Sequence, residues 1–164
     1  MADKMPEGVW LATRPASASQ DMVMVVLERI GDQLPAGFEE LAAASRADGH
    51  VHLGRLSSEF VESPAMFHRM VAARIDGTLA GIGAITDEPA PLDHPAWRMR
   101  RFYVHRDFRR CGVARSIAGA LIEAAAGQVS LLTVHAGNEG AARFWEAMGF
   151  DRVAGRPWSH QRRL

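Results

Sequence analysis

The chain has 164 residues, 48% hydrophobic and 23% charged, which fits one globular domain with a sizeable core and excludes extended disorder away from the termini. Nineteen basic and nineteen acidic side chains cancel, which argues against a general nucleic-acid binder. Cys111 is the one cysteine, so an internal disulfide and a cysteine-based zinc site are excluded and a reducing cytoplasm is expected.

The longest aliphatic run, MVMVVL at 22–27, is too short to span a membrane, and MADKMPEG does not read as a secretion signal. The neutral total conceals an asymmetry. Residues 1–93 carry 7 basic and 14 acidic side chains, and residues 94–164 carry 12 and 5. An anionic ligand is expected to prefer the second half.

In chain order, VWLATR at 9–14 reads as a short strand, and Ser17 or Ser19 as the cap of a helix through DMVMVVLERIGDQL, stopped by Pro35 and Gly37. FEELAAASRA at 38–47 predicts a helix closed by Asp48-Gly49. His50 to Pro64 shows no period and reads as a short strand plus a loop. MFHRMVAARI, Asp76-Gly77 and TLAGIGAIT form a hairpin, because Asp-Gly tolerates the positive φ angles of a tight turn.

DEPAPLDHP at 87–95 is a loop, either a substrate-side flap or a solvated connection. WRMRRFYVH is a strand of aromatic and β-branched residues between arginines. From Gly112 the pattern turns helical, with Val113, Ile117, Leu121 and Ala124 on one face and Gly127 as its stop. VSLLTVH at 129–135 has the continuous apolar character of a central strand. A helix from Asn138 places Ala141, Phe144, Trp145 and Met148 together and ends at Gly149; FDRVAG and RPWSHQRRL complete a last hairpin.

Residues 105–116, HRDFRRCGVARS, crowd arginines around a glycine between a strand and a helix. Helix-starting N–H groups lack partners within the helix, the helix dipole adds positive potential, and glycine admits close approach of a ligand to the backbone. The turn therefore suits an anion such as a phosphate, with Arg106, Arg109, Arg110 and Arg115 adding charge; a solvated basic loop is the alternative. Neither GxxxxGK[ST] nor GxGxxG is present.

Arg109-Arg110-Cys111-Gly112-Val113-Ala114, after Phe102-Tyr103-Val104, resembles the Q/R-x-x-G-x-G/A turn of the GNAT family of N-acetyltransferases. Asn138, Ala141, Phe144-Trp145 and Gly149-Phe150 resemble that family's second signature, N-x-x-A-x-x-(F/L)-Y-x-x-x-G-F. The resemblance covers about residues 97–151, and it implies an α/β domain with one mixed, mostly antiparallel sheet, helices on both faces and a splay between the strands ending at Val104 and His135. One domain over 1–164 is expected, with 1–96 on the acceptor side and 97–151 holding acetyl-CoA.

By the same resemblance, the backbone of Arg109 to Arg115, through Cys111, Gly112, Val113 and Ala114, binds the coenzyme A pyrophosphate. Phe102 and Val104 pair with the pantetheine arm, the Val104 N–H polarises the acetyl carbonyl, and Asn138 reaches the pantetheine from the next helix. The implied reaction carries acetyl directly to an amine of a small molecule, amino acid or peptide, with no metal; a homodimer is consistent with it. A coenzyme A-binding module without turnover is the alternative, and a structural or nucleic-acid-binding domain using its basic half is a third.

Two positions depart from the family. Trp145 replaces the tyrosine that protonates the leaving thiolate; its indole could hydrogen-bond the sulfur, or it is core. Arg98 replaces a strand carboxylate that acts as base, and arginine cannot take a proton near neutrality. The base must then come from elsewhere, with His135 first and Tyr103 or His105 behind it. If Arg98 or Arg100 faces the acceptor, the substrate is an amine that also bears a carboxylate; an exposed strand arginine without a ligand is the rival.

Overall fold

The computed structural model describes residues 8–13 and 23–164. Strand β1 (Val9–Thr13) pairs antiparallel with β2 (Met24–Arg29), and helices α1 (Phe38–Ala47) and α2 (His52–Glu62) follow. Strands β3 (Phe67–Ile75), β4 (Thr78–Asp87) and β5 (Trp97–Val104) lead into helix α3 (Val113–Ala125). Strand β6 (Leu131–Val134), helix α4 (Glu139–Ala147) and strands β7 (Asp151–Arg152) and β8 (His160–Arg163) end the chain.

The eight strands among the described residues form one sheet in the order β1-β2-β3-β4-β5-β6-β8-β7, in which β5 and β6 pair parallel and the other neighbours antiparallel. The expected α/β architecture is therefore present. Leu41, Leu53 and Leu56 of the first two helices pack on one face against Ile82 and Tyr103. Val113, Ile117 and Leu121 of α3, with Trp145 of α4, pack on the other against Val71, Ile85 and Met99. No helix among the described residues is long and apolar enough to cross a membrane.

Two expectations are corrected. The helix predicted through residues 21–34 is replaced by β2, in which Val25 and Leu27 are buried and alternate with more exposed neighbours; period-two burial and β-branched residues outweigh the run of apolar side chains. The caps proposed at Ser17 and Ser19 lie outside the described residues. The strand and loop read at 50–64 is instead α2, whose apolar stripe is narrow: Leu53 and Leu56 buried, with Phe60 partly so. Val51 caps it without a side-chain hydrogen bond and its first turn has no acidic residue, so the usual start signals are missing.

The other elements follow the sequence. Asp76 (φ 49°) and Gly77 (φ 78°) turn the β3–β4 hairpin, and Asn138 caps α4 by accepting the Ala141 N–H at 2.8 Å.

Candidate functional site

The site begins where β5 and β6 part. Their ladder holds Trp97 opposite Leu132 and Arg98 opposite Thr133 and goes no further, although β5 runs on to Val104. On its other edge β5 stays paired with β4, Val104 opposite Gly81, and the next N–H, that of His105, donates to the Ala80 carbonyl at 2.8 Å. Hydrogen-bonding direction alternates along an antiparallel strand. The N–H and C=O of Val104 therefore face away from β4, into the gap that β6 has left.

A bulge sets which side chains face which way. The β4–β5 register shifts between Ile82 and Ala84, and Arg101 sits there with φ 57°. Phe102 and Val104 then pack with the α3 face, whereas Tyr103 packs with the α1 and α2 face. Gly83 makes the room: a Cβ there would lie 2.9 Å from the Phe102 ring and 2.7 Å from Ile117 Cγ2.

Beyond Val104 the chain makes a 3-10 turn at Arg106–Phe108, where His105 Nδ1 accepts the Asp107 N–H at 3.1 Å. Arg110 (φ 65°) and Gly112 (φ 81°) then take left-handed conformations that curl the backbone into the start of α3. Gly112 caps that helix without a side-chain hydrogen bond, so the first-turn N–H groups of α3 keep their donor capacity for an external anion. Arg106, Arg110 and Arg115 are exposed around them, with Cys111 and Ala114 half-buried and Val113 buried beneath.

Arg109 departs from the picture of a fourth phosphate-facing arginine. Its guanidinium donates to Asp48 Oδ2 at 2.6 Å and, through Nε, to the Val104 carbonyl at 3.2 Å. Tyr103 donates to the same Asp48 oxygen at 2.8 Å. The Tyr103 hydrogen bond, then the Arg109 guanidinium, hold the Asp48 carboxyl below its ordinary value of 3.8. Burial first, and Asp48 second, push the Tyr103 phenol up to about 12. Tyr103 is thereby committed as a donor and cannot serve as the proton acceptor near neutrality.

Of the other predicted residues, His135 is exposed just past the end of β6. Trp145 is 5% exposed and packs edge-on against Phe102 and Phe144, with ring centres 4.9 Å away in each case, and against Phe150 at 5.1 Å. Asn138 is exposed, with its Oδ1 engaged in the α4 cap. Arg98 is not open to a ligand in the way that the sequence suggested. It lies 3.5 Å from the carboxylate of Glu88, whose side chain is 1% exposed, and donates to the Pro157 carbonyl at 3.2 Å.

Residues that sequence reasoning missed complete the α2 side. Glu88, read as part of a loop, accepts the Thr133 hydroxyl at 2.5 Å and the Ala90 N–H at 3.1 Å as well as facing Arg98. His50, between α1 and α2, lies 5.2 Å from the Tyr103 ring and 5.4 Å from that of His52. Its Nδ1 is buried without a hydrogen-bond partner. Burial, then the neighbouring His52 and Arg109, lower its pKa from 6.5. Chemically, the arrangement offers free amides for an anion, a main-chain donor in an open inter-strand gap, and a cationic wall on the α2 side.

A sequence model of the Acetyltransferase (GNAT) family matches residues 34–150. Among curated proteins none matches the chain. Among solved structures, a proposed acetyltransferase from Exiguobacterium sp. 255-15 superposes with TM-score 0.74 at 21% identity, covering 84% of this chain and 91% of that one. The GNAT family N-acetyltransferase YhbS from Escherichia coli, in complex with CoA, gives TM-score 0.64 at 13% identity, covering 89% and 84%. A mutant AtaT toxin bound to acetyl-CoA and the C-terminus of the antitoxin AtaR gives TM-score 0.64 at 15% identity, covering 85% and 92%. At these identities the likeness to the solved structures is one of fold.

Proposed function

The chain belongs to the GNAT acetyltransferase family, and from that premise we propose that it carries an acetyl group from acetyl-CoA directly to the nitrogen of an amine. The observation that carries the reading is the Val104 N–H facing an open gap beside the N-terminus of α3, which no side chain caps. A coenzyme laid along that gap would set its pyrophosphate on the amides of Arg110 to Arg115 and its pantetheine along Phe102 and Val104, within reach of Asn138. YhbS and the AtaT mutant, which share this fold, were solved with CoA and acetyl-CoA.

The amine attacks the thioester carbonyl, a tetrahedral oxyanion forms, and its collapse expels the coenzyme thiolate. The Val104 N–H is the proposed oxyanion donor. His135 is the proposed acceptor of the amine's proton, and the Trp145 indole the proposed hydrogen-bond donor to the departing sulfur.

Two features favour a second reading, a coenzyme A-binding module without turnover: Trp145 is packed into an aromatic cluster, and Arg98 stands paired with Glu88. Release of free thiol from acetyl-CoA across a panel of amines separates the two. Amine-dependent thiol release supports the transferase, and tight coenzyme binding with no release from any amine supports the module.

A further inference from the structure

Three arginines of β5 look toward α2, and two of them are already matched. Arg98 and Arg100 alternate with Met99, which is buried on the α3 face, so they lie on the opposite side of the sheet. Arg98 is held by Glu88. Arg101 reaches Glu59 of α2 at 2.5 Å. Arg100, half-buried between them, has no carboxylate within ion-pair distance among the described residues.

The surroundings of Arg100 add positive charge. Its guanidinium is destabilised by burial and by Arg98 and Arg101, more than Glu59 and Glu88 relieve it. His52, exposed on the first turn of α2, is depressed by burial and then by Arg101, Arg55 and Arg100. An unadorned ammonium would meet repulsion on this wall, whereas a carboxylate would supply the missing counter-charge and accept two N–H donors from one planar guanidinium.

We infer that the acceptor is an amine that also carries a carboxylate, an amino acid or a peptide with its acidic end nearby, and that Arg100 clasps that carboxylate while Glu88 keeps Arg98 out of competition. The inference rests on the acetyltransferase reading, deepens it to a substrate class, and replaces the expectation that Arg98 shares the task. It also assigns the β5 face toward α2 as the acceptor wall, opposite the face that carries Phe102.

The test uses the intact chain with saturating acetyl-CoA and amino acids and short peptides, each paired with its carboxamide. Thiol release should show kcat/KM about tenfold or more higher for the acid than for the amide, the size of a charge-assisted hydrogen-bond pair. Arg100→Gln should raise KM for the acids about 10- to 100-fold, leave kcat and the amide KM in place, and be partly rescued by Arg100→Lys.

Calorimetric binding of the same panel to the coenzyme A complex reads the site without turnover. Binding of acids that is lost in Arg100→Gln supports the carboxylate site at Arg100 even if no amine is acetylated, in which case the transferase reading fails and the bound acid is a ligand instead of an acceptor. Amides accepted as well as acids, equal effects of Arg100→Gln on both, or neither binding nor turnover across the panel would each overturn it. The acid preference of free amino acids against that of peptides distinguishes the two sources of the carboxylate.

Discussion

The Glu88 carboxylate and the Arg98 guanidinium meet at 3.5 Å at the point where β5 and β6 cease to pair. Through Glu88, the end of β4 is tied at once to β5, by Arg98, and to β6, by the Thr133 hydroxyl. The contact closes the base of the gap whose open end is proposed to hold the coenzyme. Removing one partner leaves the other without its counter-charge in a mostly buried place, so Glu88→Gln should lower stability by about 2–3 kcal/mol. Urea denaturation of Glu88→Gln, Arg98→Met and the double variant checks it: the double variant should lose clearly less than the two singles together, and strict additivity would show that the pair is not coupled.

Tyr103 is the only tyrosine of the chain, which makes its ionisation directly readable. With its pKa pushed up to about 12 by burial and by Asp48, tyrosinate absorbance should not develop near the ordinary value of 10. Asp48→Asn should bring it back toward 10. Because the folded pKa is the raised one, the corresponding stability is fully present below pH 10 and is lost as pH rises toward 12. A native-state tyrosinate transition near 10 in the unaltered chain would contradict the buried Tyr103–Asp48 contact.

His50 and His52 should make the fold sensitive to acid. Both pKa values are lowered from 6.5, burial being the first cause in each. The unfolded chain therefore binds protons more readily than the folded one just below pH 6.5. Stability should be undiminished above that pH and should fall as pH drops below it, until the lowered pKa values are passed. Urea midpoints followed from neutral to mildly acidic pH should show a shallower decline in His50→Gln. An unchanged slope would mean that His50 is free to protonate where it stands.

Gly83 is the contact on which the placement of Phe102 depends. A methyl group there would lie 2.7 Å from Ile117 Cγ2 and 2.9 Å from two Phe102 ring atoms. Gly83→Ala should cost about 1–3 kcal/mol by overpacking. The proposed coenzyme affinity should fall with it, since Phe102 must shift. Full stability in thermal denaturation would show that the bulged strand has slack.

The strand, glycine turn and helix around Gly112 were legible because every part of them is local. The strand ending at Val104, the glycine at 112 and the apolar spacing of α3 stand within a short stretch of sequence, and so do Asn138 and the residues it caps. The polar contacts on the α2 side were not, although Arg98 and Arg100 themselves stood out, because these contacts join distant segments: Tyr103 and Arg109 to Asp48, Arg98 to Glu88, Arg101 to Glu59. No spacing rule announces such pairs.

The misread elements have a similar cause. Strand β2 is rich in valine, leucine and methionine, and only its partners β1 and β3 decide that alternate residues are buried. Helix α2 carries four apolar residues, of which Val61 is exposed, so the buried stripe of Leu53, Leu56 and Phe60 does not stand out until Leu53 and Leu56 are seen beneath Tyr103. The Glu88 carboxylate belongs to a proline-rich segment whose composition reads as solvated loop, although its side chain is 1% exposed.

The central claim, that the turn before α3 binds the pyrophosphate of acetyl-CoA, is tested most directly by titrating acetyl-CoA into the protein by calorimetry, with Ala114→Glu alongside. A glutamate in the first turn favours the helix itself but sets a negative charge where the pyrophosphate is proposed to lie, so the variant should fold and should lose the coenzyme. Saturable one-site binding that is abolished in a folded Ala114→Glu variant is the predicted result. Binding that survives the substitution, or no binding by either protein, would contradict the account.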